Sequence, residues 1–486
     1  MPDTPARPLW TAAEIAAATG GVLHGDDRPV TGLTYNSREI VPGDLFLALK
    51  GARDGHEFAA SAFAAGAAAA LVDRPVEGGP YVVVPDTLHG LEALGVAARE
   101  RAPQVKRGAV TGSVGKTSVT QAIKAGLDLA GPAHGSIKSY NNHIGVPLTL
   151  ARMPVETRRA VFEIGMNAPG EIADLSLMAG PDIALITCIA DSHAGFFASL
   201  ADIAAAKAEI FDGLCGLGVA VLNRDDEFFD ELSRRAKLAG ANRIISFGAS
   251  NDSEFCLLSS TATKNGRKIE ADCAGVQLCF SLGMRAPHWA LNAIGILAVI
   301  KTLGLDVTEA ARHLVDFSDL PGRGAQYNGI FNQQPITLVD DSYNAGPASM
   351  GAALAGLASM PPQIMVLSDM LELGDSAGTA HDALVPLLTP LKPREVIALG
   401  PEMGRVTAAL AAACPTVACH VVDDSDQAIN LLARLIQEND RIFIKGSNGS
   451  GAHHVANALI AGLNPTPENT TDCARHVGLQ EEEPHA

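Results

Sequence analysis

The sequence predicts an α/β protein with several cores, the middle one a doubly wound parallel sheet, and three observations carry that prediction. The chain has 486 residues, more than one hydrophobic core organises, which points to about three domains. Short apolar runs alternate along most of it with segments of helical periodicity, the pattern of strands joined by crossover helices. At residues 111–118 a strand turns through glycines into a helix: Thr-Gly-Ser-Val-Gly-Lys-Thr-Ser follows the apolar pair Ala109-Val110 and precedes a helix expected over 119–129.

A helix start of this kind aims several backbone N–H groups at one spot, and an anion belongs there. In Gly112-Ser113-Val114-Gly115-Lys116-Thr117-Ser118 the backbone would cradle phosphates, Lys116 would reach the outer phosphates of a nucleotide, and the Thr117 hydroxyl would sit on Mg²⁺. The residue types fit ATP. The full eight-residue phosphate-loop pattern places another glycine at position 110, where this chain has Val110, so the match is to a shorter G-x-x-G-K-T form. A glycine-rich turn without chemistry is the competing reading.

The composition, 47% hydrophobic and 19% charged, is that of an ordinary globular protein. A formal net charge of -18 argues against nucleic acid or an anionic membrane as partner, because the overall field repels both. Anionic ligands must then be held by local groups. Residues 1–10 contain prolines and no apolar core, unlike a secretory signal. The longest apolar run, 62–72, is mostly alanine and falls well short of the roughly 20 residues a bilayer span needs. A soluble, cytoplasmic protein without stable membrane association is expected. Its eight cysteines form no C-x-x-C pair and no His-bearing zinc spacing, so buried thiols rather than disulfides are expected.

In chain order, residues 1–105 are expected to form an N-terminal domain with helix 11–18, strand 46–49, helix 56–66, strands 69–72 and 81–84, and helix 91–101. Between them lie Tyr35-Asn36-Ser37-Arg38 and Asp54-Gly55-His56. Ser37, Arg38 and a glycine-flanked turn suit hydrogen bonding to a phosphate or uracil group, although on the residues alone an ordinary polar loop is the better reading. The breaker Ala102-Pro103 puts a boundary near 106. Residues 106–322 make the doubly wound central domain. Glu163 lies in the strand 161–165, and Asp191-Ser192-His193 follows the strand 183–189. In a parallel sheet both strand ends share the edge of the phosphate loop, so Glu163 and His193 could converge on a metal-phosphate site. A capped or solvated loop residue is the alternative for each.

Helix 199–214, capped by Ser199, carries Lys207 among alanines, where the residues alone read as a solvated lysine paired with a glutamate. A strand over 218–222 follows, then a β-rich stretch with strands 243–247, 254–258 and 276–280, helix 288–302 bearing Asn292, and helix 307–314. Leu320-Pro321-Gly322-Arg323-Gly324 reads as a linker. Residues 323–464 alternate again, with strands 336–340, 363–367, 395–399 and 441–445, helices from Pro347 and Thr379, and a helix over 426–438. Residues 465–486 form a polar tail expected to be disordered.

With the phosphate loop, Glu163, His193 and Lys207 in this order, the chain resembles the Mur ligase family of ATP-dependent amide ligases over nearly its whole length. The likeness is carried by Asn36-Ser37-Arg38 with Asp54-Gly55-His56, by residues 111–118, by Asn141-Asn142-His143-Ile144-Gly145-Val146-Pro147, and by Ala206-Lys207-Ala208-Glu209-Ile210. Most specific is Asp340-Asp341-Ser342-Tyr343-Asn344-Ala345-Gly346-Pro347. The resemblance implies an N-terminal UDP-sugar domain, a central P-loop ATPase-type domain, and a Rossmann-like C-terminal domain for the amino substrate. It implies Lys116, His193 and Lys207 in catalysis, one Mg²⁺ on Thr117 and Glu163, and a second on His193 and an N6-carbamylated Lys207. A carbamate turns lysine into a carboxylate of the kind Mg²⁺ prefers. Asn292 would contact adenine, Arg323 the phosphates and Asp341 the ribose, with Ser37, Arg38, Asn142, Tyr343 and Asn344 at the other substrates.

Within the family, the last motif points to members that join D-alanyl-D-alanine (D-Ala-D-Ala) to UDP-N-acetylmuramoyl-tripeptide (UDP-MurNAc-tripeptide) through an acyl phosphate in peptidoglycan synthesis; a monomer is expected, although no residue pattern fixes the oligomeric state. Two stretches depart from the family pattern. Ser368-Asp369-Met370-Leu371-Glu372-Leu373-Gly374 stands where G-D-M-x-E-L-G is usual, and Lys445-Gly446-Ser447-Asn448 where K-G-S-R is usual. Both lie in the domain for the amino substrate. The competing readings are a cyanophycin- or folylpolyglutamate-type ligase, or a paralogue with another amino substrate, which would share the ATP site. From a different class, a P-loop regulator would hydrolyse ATP to drive a partner.

Overall fold

The computed structural model describes residues 8–137, 139–190, 197, 199–263, 266–358 and 360–464. His193 and the tail 465–486 lie outside the described residues. The described chain divides into two compact units, residues 8–190 with 200–317, and residues 318–464.

The first unit carries two large sheets. Its N-terminal part has five strands in the order Val22–His24, Tyr81–Val83, Ala69–Val72, Asp44–Leu47, Gly32–Thr34, parallel except at Val22–His24. Thr11 and Glu14 form a capping box on helix Ala12–Thr19, and Asp86 caps helix Thr87–Glu100. That second helix lies against helix Gly145–Ala151 at Gly95, where a Cβ would come within 3.0 Å of the Pro147 carbonyl oxygen. The Trp10 indole donates to the Ala151 carbonyl at 2.8 Å, and Arg152 Nε donates to the Leu33 carbonyl at 2.8 Å. The two parts of the unit are thereby joined through directional bonds as well as apolar contact.

The central sheet has nine strands in the order Gln277–Leu282, Gly266–Cys273, Phe255–Thr263, Arg243–Gly248, Val219–Asn223, Ile183–Ile186, Lys106–Thr111, Arg159–Glu163, Ala133–Gly135. From Arg243–Gly248 to Ala133–Gly135 every pairing is parallel, and the first three strands form an antiparallel extension. The parallel strands are buried along most of their length because helices cover both faces. Helix Trp289–Thr302 is buried almost all round and shares one core with Ile123 and Leu127 of helix Lys116–Asp128. Strand Gly266–Cys273 falls in a stretch where only its two neighbours were expected. Its signal is alternation, with Ile269, Ala271 and Cys273 buried between exposed Lys268 and Glu270.

The second unit has six strands in the order Ala325–Phe331, Gln334–Asp341, Asp440–Lys445, Ile364–Ser368, Glu395–Leu399, Ala418–Val422, parallel except for the first pair. Val366 and Ile397 face one core and Met365 and Leu367 another, so this sheet is covered on both sides as well. The α/β, doubly wound architecture expected from the alternation is the one observed. All seven described cysteines are free, and no described helix is long and apolar enough to cross a membrane.

Candidate active site

Strand Lys106–Thr111 lies between Ile183–Ile186 and Arg159–Glu163, and the strand order reverses at it. The loop that follows therefore opens at the crevice where ligands bind in such sheets. Gly112 and Gly115 have φ of +148° and +85°. A Cβ on Gly112 would lie 1.9 Å from Thr187 Oγ1, which donates to the Val114 carbonyl at 2.7 Å. Ser113 Oγ donates to the Ala190 carbonyl at 2.8 Å and accepts from the Ala190 N–H at 2.9 Å. The loop is thus stitched to the segment after the neighbouring strand, and that segment is held by Asp226, whose carboxylate accepts the Ile189 N–H at 2.7 Å. The following helix starts at Lys116, three residues earlier than expected, so its first free N–H groups belong to the loop itself. Lys116 Nζ donates to the Gly112 carbonyl at 2.7 Å.

Glu163 ends its strand in register with Val110 and is 1% exposed. Its Oε1 accepts from Ser139 Oγ at 3.0 Å and from Asn141 Nδ2 at 2.7 Å. The Thr117 hydroxyl donates to Ser139 Oγ at 3.2 Å. Glu163 Oε2 is buried with no hydrogen-bond partner among the described residues. A carboxylate oxygen in that state is costly unless a positive charge meets it. No group of three or more His, Cys, Asp or Glu side chains among the described residues could hold a metal alone. This set still fits Mg²⁺, which keeps several waters and takes one or two protein oxygens beside nucleotide phosphates.

Lys207 is 1% exposed on helix Leu200–Ala208, so the solvated lysine paired with a glutamate, read from the residues alone, is corrected. Glu209 instead accepts the Gly170 and Ala173 N–H groups at 2.8 and 3.3 Å, at the start of helix Glu171–Ala179. Burial, with the Lys116 charge adding to it, holds the Lys207 amine well below the usual lysine range. Asn292 stands against the loop, its Nδ2 3.2 Å from where a Gly115 Cβ would lie. Asn142 Oδ1 accepts the Ile144 and Gly145 N–H groups at 3.2 and 2.9 Å, so its carboxamide oxygen is engaged in starting helix Gly145–Ala151.

Ser37 and Arg38 follow strand Gly32–Thr34, and Asp54-Gly55-His56 follows the parallel neighbour Asp44–Leu47, so both loops open at one edge of the five-stranded sheet. Ser37 is half-buried and Arg38 exposed. His56 is buried between Asp54 and Asp73, with its Nδ1 2.7 Å from Asp54 Oδ1 and its Nε2 accepting the Asp73 N–H at 3.0 Å.

In the second unit, Asp340 accepts the Gly322 N–H at 2.8 Å, the Ser342 N–H at 3.2 Å and the Ser342 hydroxyl at 2.5 Å. Its oxygens are spent on holding the chain turn. Asp341 pairs with Lys445 at 2.8 Å, and Lys445, 2% exposed, also donates to the Asn344 carbonyl at 3.0 Å. Burial raises the Asp341 carboxyl against the opposing pull of Lys445. The Arg323 guanidinium lies 4.1 Å from the Tyr343 ring centroid. Ser368, one of the departures, sits with its Oγ 2.5 Å from Ser450 Oγ, while the Asn448 N–H reaches Asn344 Oδ1 at 3.4 Å. Lys116, Thr117, Glu163 and Asn292 are gathered around the loop, and Arg323, Asp341, Tyr343 and Asn344 around the strand end at 341. Ser136, Ser139, Asn141 and Thr187 had not been singled out. Asn141 stood inside a quoted motif, but nothing in the residue pattern marks Ser139.

Sequence profiles of the Mur ligase family match residues 29–112 (Mur ligase family, catalytic domain), 110–300 (Mur ligase middle domain) and 328–448 (Mur ligase, glutamate ligase domain). The UDP-N-acetylmuramoyl-tripeptide–D-alanyl-D-alanine ligase of Escherichia coli is 32% identical over 92% of this chain and 98% of its own. The ligase of the same name from Synechocystis is 34% identical over 91% and 94%. A crystal structure of MurF from Acinetobacter baumannii superposes with a TM-score of 0.79 at 29% identity, covering 93% of this chain and 99% of its own.

Proposed function

The chain belongs to the Mur ligase family, and from that premise we propose that it joins D-alanyl-D-alanine to UDP-N-acetylmuramoyl-tripeptide at the expense of ATP. The observation that carries the chemistry is a glycine-rich anion cradle set beside a buried carboxylate with one unpartnered oxygen. A substrate carboxylate is a poor acyl donor at neutral pH, so it first takes the γ-phosphoryl group of ATP, releasing ADP and becoming an acyl phosphate. The amine of the dipeptide then attacks the acyl carbon, phosphate departs, a proton is lost and the amide forms.

Each step asks something of this chain's residues. The loop N–H groups and Lys116 hold the nucleotide phosphates and lower the repulsion between two anions. Thr117 and Glu163 would hold one Mg²⁺, and His193 with an N6-carbamylated Lys207 a second. Bound Mg²⁺ would supply charge neutralisation at the transferring phosphoryl group. A buried amine kept neutral can add CO₂ and lose a proton, which gives Lys207 the carboxylate character its position calls for. Asn292 beside Gly115 is assigned to the adenine, Arg323 to the phosphates, Asp341 to the ribose, Ser37, Arg38 and Asn142 to the nucleotide-sugar substrate, and Tyr343 and Asn344 to the dipeptide. We assign 1–105 to the UDP-sugar, 106–322 to ATP and 323–464 to the dipeptide, in a cytoplasmic monomer.

Phosphate release measured with UDP-MurNAc-tripeptide, with and without D-Ala-D-Ala, tests the reading. Release should require both substrates. Steady release without the amine would favour an ATP-driven regulator, and turnover on other acyl acceptors without UDP binding would favour a folylpolyglutamate-type ligase.

A further inference from the structure

Three short side chains from one segment, Ser136, Ser139 and Asn141, converge on the end of strand Arg159–Glu163. A serine hydroxyl has one proton to give and two lone pairs to receive with. Ser139 gives its proton to Glu163 Oε1 and receives from the Thr117 hydroxyl and from Asn141 Nδ2 at 3.1 Å. Two consequences follow from the direction of these bonds. The Thr117 proton is turned towards Ser139, which leaves the lone pairs of its oxygen facing away from Ser139. Glu163 receives two donors on Oε1 and none on Oε2, although both oxygens lie on a side chain only 1% exposed. A network built for stability alone would satisfy both oxygens, because a buried lone pair left unmet is costly.

We propose that Ser139 and Asn141 are positioning residues that orient Thr117 and Glu163 as a matched pair of oxygen ligands for a single divalent cation. Ser139 is the coupling element, since it touches both ligands at once. Asn141 fixes the carboxylate rotamer by filling the remaining lone pair of Oε1. The role deepens the metal assignment above and rests on it. It also explains why two small polar residues lie between an edge strand and a helix without capping either.

The test is Mn²⁺ binding, followed by electron paramagnetic resonance in the full-length enzyme with ADP present. Ser139→Ala should weaken Mn²⁺ affinity by about 10-fold or more, the usual scale for removing a group that orients a metal ligand. Metal-free ADP binding should stay as in wild type, because the loop N–H groups do not depend on Ser139. Ser139→Thr keeps the hydroxyl and should restore Mn²⁺ affinity, which a merely space-filling role would not predict. Asn141→Ala provides the same readout should Ser139→Ala fold poorly. Wild-type Mn²⁺ affinity in Ser139→Ala and Asn141→Ala, beside a weakened Glu163→Gln, overturns this inference alone. Wild-type affinity in Glu163→Gln as well overturns the metal site on which it rests.

Discussion

Replacing Gly112 by alanine puts the organisation of the phosphate loop to a quantitative test. The backbone there has φ of +148°, which L residues rarely adopt, at about 1–3 kcal/mol. The added Cβ would lie 1.9 Å from Thr187 Oγ1, so Thr187 must swing away and give up its 2.7 Å bond to the Val114 carbonyl, worth about 0.5–1.5 kcal/mol. Together these amount to about 1.5–4.5 kcal/mol against the native loop. Both tryptophans, Trp10 and Trp289, lie in the first unit, so their fluorescence during urea unfolding reports on that unit. Gly112→Ala should lower the urea midpoint and abolish ATP binding. Thr187→Ala alone should cost about 1 kcal/mol, and the double variant should be no less stable than Gly112→Ala, because the bond and the clash are lost only once. A wild-type midpoint with intact ATP binding in Gly112→Ala, or costs that simply add in the double variant, would refute the reasoning.

Three further outcomes are expected. Lys207→Ala should remove nearly all ligase activity while ATP binding persists, and added short carboxylic acids should restore part of the rate by filling the vacated space; full activity in the variant would remove Lys207 from the mechanism. Asp341→Ala leaves the Lys445 ammonium 2% exposed with its carboxylate gone, so the second unit should lose about 3–5 kcal/mol, seen as early proteolysis, along with weaker ATP binding. Asp341→Leu with Lys445→Met should recover the stability but not the ATP affinity. Burial lowers the His134 pKa from 6.5 to about 4, its ring 2.7 Å from the Thr149 carbonyl oxygen. The unfolded chain then takes up a proton below pH 6.5 that the native state refuses until about 4. Stability is lost as pH falls through that window, by up to roughly 3 kcal/mol. His134→Gln should flatten the dependence between pH 7 and 5, and an unchanged slope would count against it.

Local pattern made some of this legible and tertiary context hid the rest. The phosphate loop announces itself because glycines, lysine and threonine do their work within eight consecutive residues. Strand ends such as Glu163 follow from apolar runs that stop at a charge. Local pattern misreads Lys207 as solvated, and only the family resemblance gives it a role, since an alanine-rich helix gives no sign of which face is covered; four of its neighbours, Ile203, Ala204, Ala206 and Ala208, are buried with it. The pair Asp340-Asp341 is ambiguous by nature: adjacent strand residues point to opposite faces, and only the register decides which carboxylate is spent on the Gly322 turn. Ser139 acts through residues 22 and 24 positions away, a separation at which sequence patterns carry no signal.

The segment that aims Glu163 hangs from Ala133–Gly135, a three-residue strand paired on one side only, at the rim of the nine-stranded sheet. Edges of this kind open locally long before a sheet melts. On warming, the enzyme should therefore fall silent while its circular dichroism still reports a folded protein, and should recover at once on cooling. The ceiling on its working temperature would be set by the fraying of a few residues.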